Sequence, residues 1–123
     1  MANLLRRATN VKFVGTWYIY EMEGWDEDYF NMEVQAYLRI DAKGLAHFQF
    51  GLVSGQMDGE LERCGDEQRF FLTWQGNDEN DPALGAGWLR MKGENSVEGK
   101  IKLYLGDSSL FWAKRAEEGS DES

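Results

Sequence analysis

The chain has 123 residues, 42% of them hydrophobic, which suits one folded domain and excludes a disordered chain or two domains. Fourteen Gly against one Pro favour many turns and short strands over a helical bundle. Twenty-two acidic against thirteen basic residues give a formal net charge of −9, which disfavours nucleic acid and membrane surfaces as partners.

The single cysteine and the N-terminal residues predict the compartment. Cys64 has no second cysteine with which to pair, which suits a reducing environment. Residues 1–10 include Arg6 and Arg7 but not the apolar core of a signal peptide. No segment has the roughly 20 apolar residues that a membrane-spanning helix needs. We therefore expect a cytoplasmic protein.

Alternating polar and apolar residues predict eight strands in chain order. The first covers residues 14–22, which are rich in aromatic and β-branched side chains. Short loops with glycine join the second strand to the third, the fourth to the fifth and the sixth to the seventh, so these pairs are predicted hairpins. The other predicted strands cover residues 35–41, 46–52, 56–63, 68–75, 87–92, 97–105 and 109–115.

The predicted fold class is all-β, an up-and-down antiparallel barrel of about eight strands, because closure leaves no unpaired edge. Residues 1–115 would form the barrel domain, and residues 116–123 a flexible acidic tail. The connections over residues 23–34 and 76–86 are long, and both follow odd-numbered strands, so they lie at the same end. This predicts one closed end with short hairpins and one open end ringed by loops, where a ligand enters.

The two terminal strands resemble those of lipocalin-like (calycin) barrels. Gly15-Thr16-Trp17 stands on the first predicted strand, and Arg115 ends the last. In that superfamily a Gly-x-Trp places its indole across the closed end, where a basic side chain from the last strand covers it. The resemblance therefore implies that Trp17 and Arg115 form a structural plug. It is nearest to small uncharacterised bacterial lipocalin-like proteins, which imply no activity, and the export signal and paired cysteines of secreted lipocalins are missing.

Candidate ligand-binding residues gather at the predicted open end. If Trp17 faces inward, alternation places Glu21 in the lumen, where a carboxylate could anchor a ligand amine or hydroxyl; alternatively the strand bends there and Glu21 is solvated. Large apolar residues predict a packed interior with a narrow pocket rather than a lipid-sized cavity. The predicted ligand-binding residues are Glu21, Trp25, Tyr29, Phe50, Trp74 and Asp78.

The loops of the open end are strongly acidic. Convergent carboxylates can hold Ca²⁺ or Mg²⁺, grip a cationic ligand or meet a basic protein, or they are only solvated. Residues 77–81 lack the spacing of an EF-hand loop, and His47, the only histidine, is placed on the outer face of its strand, so no metal and no cofactor is predicted. Residues 25–30 suit a short helical turn that folds over the opening as a lid.

Three functions stay open. The first is a non-enzymatic binding module that holds a small, partly apolar ligand, including a cationic one, at the open end. The second is a protein-interaction domain with a filled barrel, which forms a homodimer through outward aromatic residues of the barrel wall or binds a basic protein through the acidic rim or that aromatic wall. The third is a hydrolase that pairs Glu21 with Asp26 or Asp78. No catalytic residue is assigned.

Overall fold

The structure is a computed structural model that describes residues 12–116. Each strand pairs antiparallel with its neighbours in the chain, and β1 pairs with β8, which closes the barrel. The predicted all-β, eight-stranded up-and-down barrel is confirmed. The predicted acidic tail over 116–123 lies outside the described residues except for Ala116.

The strands differ in length, and the longest form one side of the barrel. The elements are β1 (Gly15–Met22), α1 (Glu27–Phe30), β2 (Tyr37–Ile40), β3 (Leu45–Phe50), β4 (Val53–Cys64), β5 (Glu67–Asp78), β6 (Asp81–Gly93), β7 (Ser96–Leu103) and β8 (Ser108–Arg115).

The prediction of a long loop over residues 76–86 is wrong. β5 and β6 stay paired up to Asp78 and Asp81, and Glu79 makes the tight turn with a φ of 60°. The inward positions of this hairpin are Gly76, Ala83 and Gly85. Because these residues are small, the apolar alternation that marks a strand is missing from the sequence here. The open end is therefore not ringed by a fifth loop.

The other end of the barrel is closed around Trp17. The indole is fully buried, and its Nε1 donates a hydrogen bond to the Phe13 carbonyl over 2.9 Å. The Arg115 guanidinium carbon lies 4.2 Å from the centroid of the indole ring. The same guanidinium donates to the carbonyls of Lys12 and Val14 over 2.9 and 2.8 Å. A cation thus covers the electron-rich ring and joins the two ends of the barrel sheet.

Candidate functional site

The barrel interior is packed, and it leaves an apolar cavity of only about 10 Å³. Such a volume is roughly what one water molecule needs. Phe50 and Trp74 are buried core residues, and the Trp74 ring meets Phe48 edge-on with centroids 5.0 Å apart. Its Nε1 donates to the Lys102 carbonyl over 3.2 Å. Both residues were predicted to bind a ligand, but no ligand-sized space lies beside them in the lumen.

A lid closes the predicted mouth. The Trp25 ring packs on Phe50 with centroids 4.9 Å apart and on Tyr29 at 6.2 Å. Phe30 of α1 is buried, and its carbonyl accepts the Gly51 N–H over 2.9 Å. The structure thus brings three predicted site residues, Trp25, Tyr29 and Phe50, together. They form a hydrophobic seal rather than an open entrance.

Glu21 does not face the lumen. A β-bulge between Ile19 and Glu21 shifts the register of β1 against β8, so that Glu21 lies opposite Trp112 and Met22 opposite Phe111. As a result Met22 is buried and Glu21 is exposed. The placement of Glu21 in the lumen is wrong, because strict alternation takes no account of the extra residue that a bulge inserts. The alternative, a bend in the strand that leaves Glu21 solvated, is the arrangement found.

Glu21 and Asp78, one of the two carboxylate pairs proposed for hydrolysis, do not converge. Asp78 ends β5, opposite Asp81 of β6, and β5 stands four strands from β1 in the eight-stranded ring. Glu21 and Asp78 therefore lie on opposite walls, and Asp26 is exposed just before α1. Among residues 12–116, no three His, Cys, Asp or Glu side chains are grouped so as to hold a metal ion. None of the helical segments in this range is long and apolar enough to cross a membrane.

A much larger concavity, of about 590 Å³, lies on the outside of the barrel across β3 to β6. We call it the outer groove. The strand register builds it from two rows of outward side chains. The first row consists of His47, Gln56, Gln75 and Leu84. The second row, two residues away from the first on each strand, consists of Ser54, Asn77 and Pro82.

Backbone forms the floor of the outer groove between the two rows. The inward row that separates them is Phe48, Gly55, Gly76 and Ala83. A Cβ atom on Gly76 would lie 2.0 Å from the Ser54 carbonyl oxygen and 2.5 Å from the Gly55 Cα. β4 and β5 thus approach closely at a point where only glycine fits.

The lining of the outer groove carries no formal charge. None of the residues that line it is Asp, Glu, Lys or Arg, although the chain contains 22 acidic residues. The amide side chains of Gln56, Gln75 and Asn77 each offer two donors and one acceptor oxygen. Tyr104 stands at one end with 65% of its surface exposed, and its backbone N–H donates to the Leu84 carbonyl over 2.7 Å.

His47 stands at the other end of the outer groove and is oriented by Tyr37. The Tyr37 hydroxyl lies 2.6 Å from His47 Nδ1. Burial raises the pKa of the Tyr37 hydroxyl, against an opposing effect of the Arg39 charge, so the phenol keeps its proton at neutral pH. When it donates that proton to Nδ1 of the neutral ring, the tautomer is fixed with a proton on Nε2. In that tautomer the free donor of His47, a residue of the groove lining, is Nε2.

The sequence pattern did not reveal the outer groove, because it predicts a loop over residues 76–86. In the structure these residues belong to the β5–β6 hairpin, which forms one wall of the groove. A signal was available in β4 and β5, where the outward residues Gln56, Gln75 and Asn77 are amides in a highly charged chain. Compared with family models, with curated proteins and with solved structures, the chain matches none. The resemblance to lipocalin-like barrels therefore stays a prediction, and the function is argued from the groove.

Proposed function

We propose that the protein is a non-enzymatic binding module that holds an uncharged, polar ligand in the outer groove. The observation that carries this proposal is the contrast between the two spaces of the barrel. The interior cavity measures about 10 Å³ and the outer groove about 590 Å³. Ligand sites of soluble proteins typically measure about 300–1,000 Å³, so the outer groove has a suitable size and the interior cavity does not.

The chemistry of the lining favours a neutral ligand over the cationic one expected from the acidic loops. A buried or half-buried ammonium group needs a carboxylate or a set of acceptors beside it. Among residues 12–116, no carboxylate lines the outer groove. Amide, hydroxyl and imidazole groups bind a ligand through hydrogen bonds, which are directional and need no counter-charge.

A protein-interaction domain is the second candidate, and one observation favours it. In the turn after β7, Leu105 is 87% exposed and has a φ of 59°, beside the exposed Tyr104. An apolar side chain held in the solvent suits an interface of a homodimer. The outward tryptophans give less support, because Arg69 covers Trp88 at 4.4 Å and Trp112 donates to Glu98 over 3.1 Å.

Chemical-shift mapping tests the proposal. We would titrate the ¹⁵N-labelled protein with cellobiose, with N-acetyl-Gly-Gly-amide and with dodecanoate. At least one uncharged polar probe should give saturable shifts at the side-chain amides of Gln56, Gln75 and Asn77. Dodecanoate should leave the lumen residues Leu38 and Phe111 unchanged.

A pair of variants locates the binding. Gln75→Ala should weaken the interaction by about tenfold, equal to about 1.4 kcal/mol. The control Gln68→Ala removes the same side chain from the same strand outside the groove and should bind like the unchanged protein. Saturable dodecanoate shifts in the lumen, or no saturable shift in the groove with either polar probe, would overturn the proposal. A concentration-dependent dimer that loses its association in Leu105→Ser, with the groove unresponsive, would establish the second candidate instead.

A further inference from the structure

We infer that the ligand of the outer groove is a neutral saccharide, whose hydroxyl groups bind the amide rows and whose ring stacks on Tyr104. The inference rests on the proposed function, and it names the chemical class of the ligand. Three features carry it: the hydrogen-bonding pattern of the two side-chain rows, the exposed ring at one end, and the exclusion of charged and peptide ligands.

The amide rows match vicinal hydroxyl groups. Gln56 and Gln75 are direct cross-strand partners, and Ser54 and Asn77 are partners two residues away. Partners on neighbouring strands are about 5 Å apart, and positions two residues along a strand about 7 Å. Each amide both donates and accepts, and so does each sugar hydroxyl. Adjacent hydroxyls on one ring can therefore be bound by adjacent amides.

These side chains are also available to a ligand. Gln56, Gln75 and Asn77 are exposed, and none of the side-chain hydrogen bonds within residues 12–116 uses their amide groups. His47, by contrast, is held by the Tyr37 hydroxyl at 2.6 Å. One end of the groove thus offers an oriented ring, and the two side-chain rows offer adaptable amides.

Tyr104 supplies the stacking surface. The residue is 65% exposed, but its backbone is fixed by the 2.7 Å hydrogen bond to Leu84. The face of an aromatic ring is electron-rich, and the C–H bonds on one face of a pyranose carry a small positive charge. The two faces are therefore complementary, and the exposed Leu84 extends the apolar contact beside them.

A charged ligand finds no counter-ion in the outer groove. Phosphates and carboxylates need Lys, Arg or a helix N-terminus, and ammonium groups need carboxylates or aromatic cages. In the described part of the chain, the lining provides neither Lys nor Arg nor a carboxylate. The net charge of −9 adds a long-range repulsion against anions.

The sheet edge beside the outer groove does not suit an extended peptide. The tip of β6 over residues 81–84 projects beyond β7, whose pairing with β6 ends at Gly85 and Leu103. The Leu84 carbonyl accepts a hydrogen bond from the Tyr104 N–H, so it points to the side of β7. Backbone groups two residues apart in a strand point to the same side, so those of Pro82 also face this edge. Proline has no N–H to donate, so this edge does not support strand addition.

Titration with sugars, followed by ¹⁵N chemical shifts and calorimetry, tests the inference. The panel contains neutral disaccharides with α and β linkages of glucose, galactose, mannose and N-acetylglucosamine. Glucosamine and glucuronic acid serve as charged comparisons, and N-acetyl-Gly-Gly-amide as the peptide. We expect at least one neutral disaccharide to bind saturably at the amides of Gln75 and Asn77, and the charged sugars to bind more weakly.

Variants of Tyr104 separate stacking from hydrogen bonding by its hydroxyl. Tyr104→Ala should weaken sugar binding by about tenfold or more, whereas Tyr104→Phe should retain it. Tyr20→Ala, which removes another exposed tyrosine from the outer surface at β1, should have no effect. If the peptide binds in the groove and no sugar does, the saccharide inference is overturned and the proposed function stands. If no probe binds in the groove, both are overturned.

Discussion

The indole of Trp17 combines full burial with two specific partners. Phe13 accepts its N–H over 2.9 Å, and the Arg115 guanidinium covers its face at 4.2 Å. A side chain of this size that is removed from a packed interior leaves a cavity as well as an unsatisfied carbonyl. One residue therefore stabilises an entire end of the barrel.

Trp17→Ala should lower the free energy of unfolding by about 3–5 kcal/mol. Urea denaturation followed by circular dichroism measures the change. The control is Tyr20→Ala in the same strand, where the ring is 48% exposed and truncation should cost about 1 kcal/mol or less. Equal losses for the two variants would show that the buried indole has no special role in closing the barrel.

Among the elements, the β4–β5 hairpin decides where the outer groove lies. Gly55 and Gly76 are cross-strand partners, and the close approach of their backbones forms the floor. The inward positions hold no large side chain there, so the outward rows stand above main chain. A methyl group at this point has to displace backbone rather than a flexible side chain.

Gly76→Ala should therefore destabilise the protein by about 1–3 kcal/mol and also distort the outer groove. Thermal unfolding and the amide shifts of Gln56 and Gln75 report the two effects. In the control Gly93→Ala, the nearest atom to the new methyl is the Ser96 hydroxyl oxygen at 3.4 Å, so the change should stay within about 0.5 kcal/mol. A Gly76→Ala variant as stable as this control would contradict the close approach of β4 and β5.

Across the whole molecule, an excess of negative charge coexists with a chain of ion pairs on the outer wall. Arg90 lies 2.7 Å from Glu98 and 3.2 Å from Glu67, and Arg69 lies 2.8 Å from Glu67. The hydrogen bond from Arg90, followed by that from Trp112, lowers the pKa of Glu98. These contacts join β5, β6, β7 and β8.

A lowered pKa in the folded state predicts the pH dependence of stability. The contribution of Glu98 to the free energy of unfolding is complete above the pKa of glutamate in the unfolded chain, about 4.3. It is lost as the pH falls through the lower pKa of Glu98 in the folded protein. Glu98→Gln should therefore lower the free energy of unfolding at neutral pH, and in acid the variant and the unchanged protein should become equally stable. Urea denaturation from neutral pH into strong acid measures this, with the exposed Glu94→Gln as control. A difference in stability between Glu98→Gln and the unchanged protein that stays constant with pH would contradict the stabilising role of the ionised Glu98.

Much of the fold could be predicted from the sequence, because most strands alternate large apolar with polar residues. The prediction failed where that alternation carries no information. At Glu21 a bulge inserts a residue, and at Gly76 and Gly85 the inward positions hold no side chain. The outward amides of β4 and β5 do not by themselves locate the outer groove. His47, Gln56, Gln75 and Leu84 come from four strands, and only the register brings them into one row.

The pairing of β1 with β8 has a consequence for the entropy of folding. The other seven strand pairs join neighbours in the chain, so each closes a short segment at a small entropic cost. The β1–β8 ladder instead brings together Trp17 and Arg115, and nearly the whole barrel must lie between them before it forms. The loop-closure cost of this topology is thus concentrated in one ladder. The Arg115 hydrogen bonds to Lys12 and Val14, which span 103 and 101 residues, reinforce the barrel at that ladder.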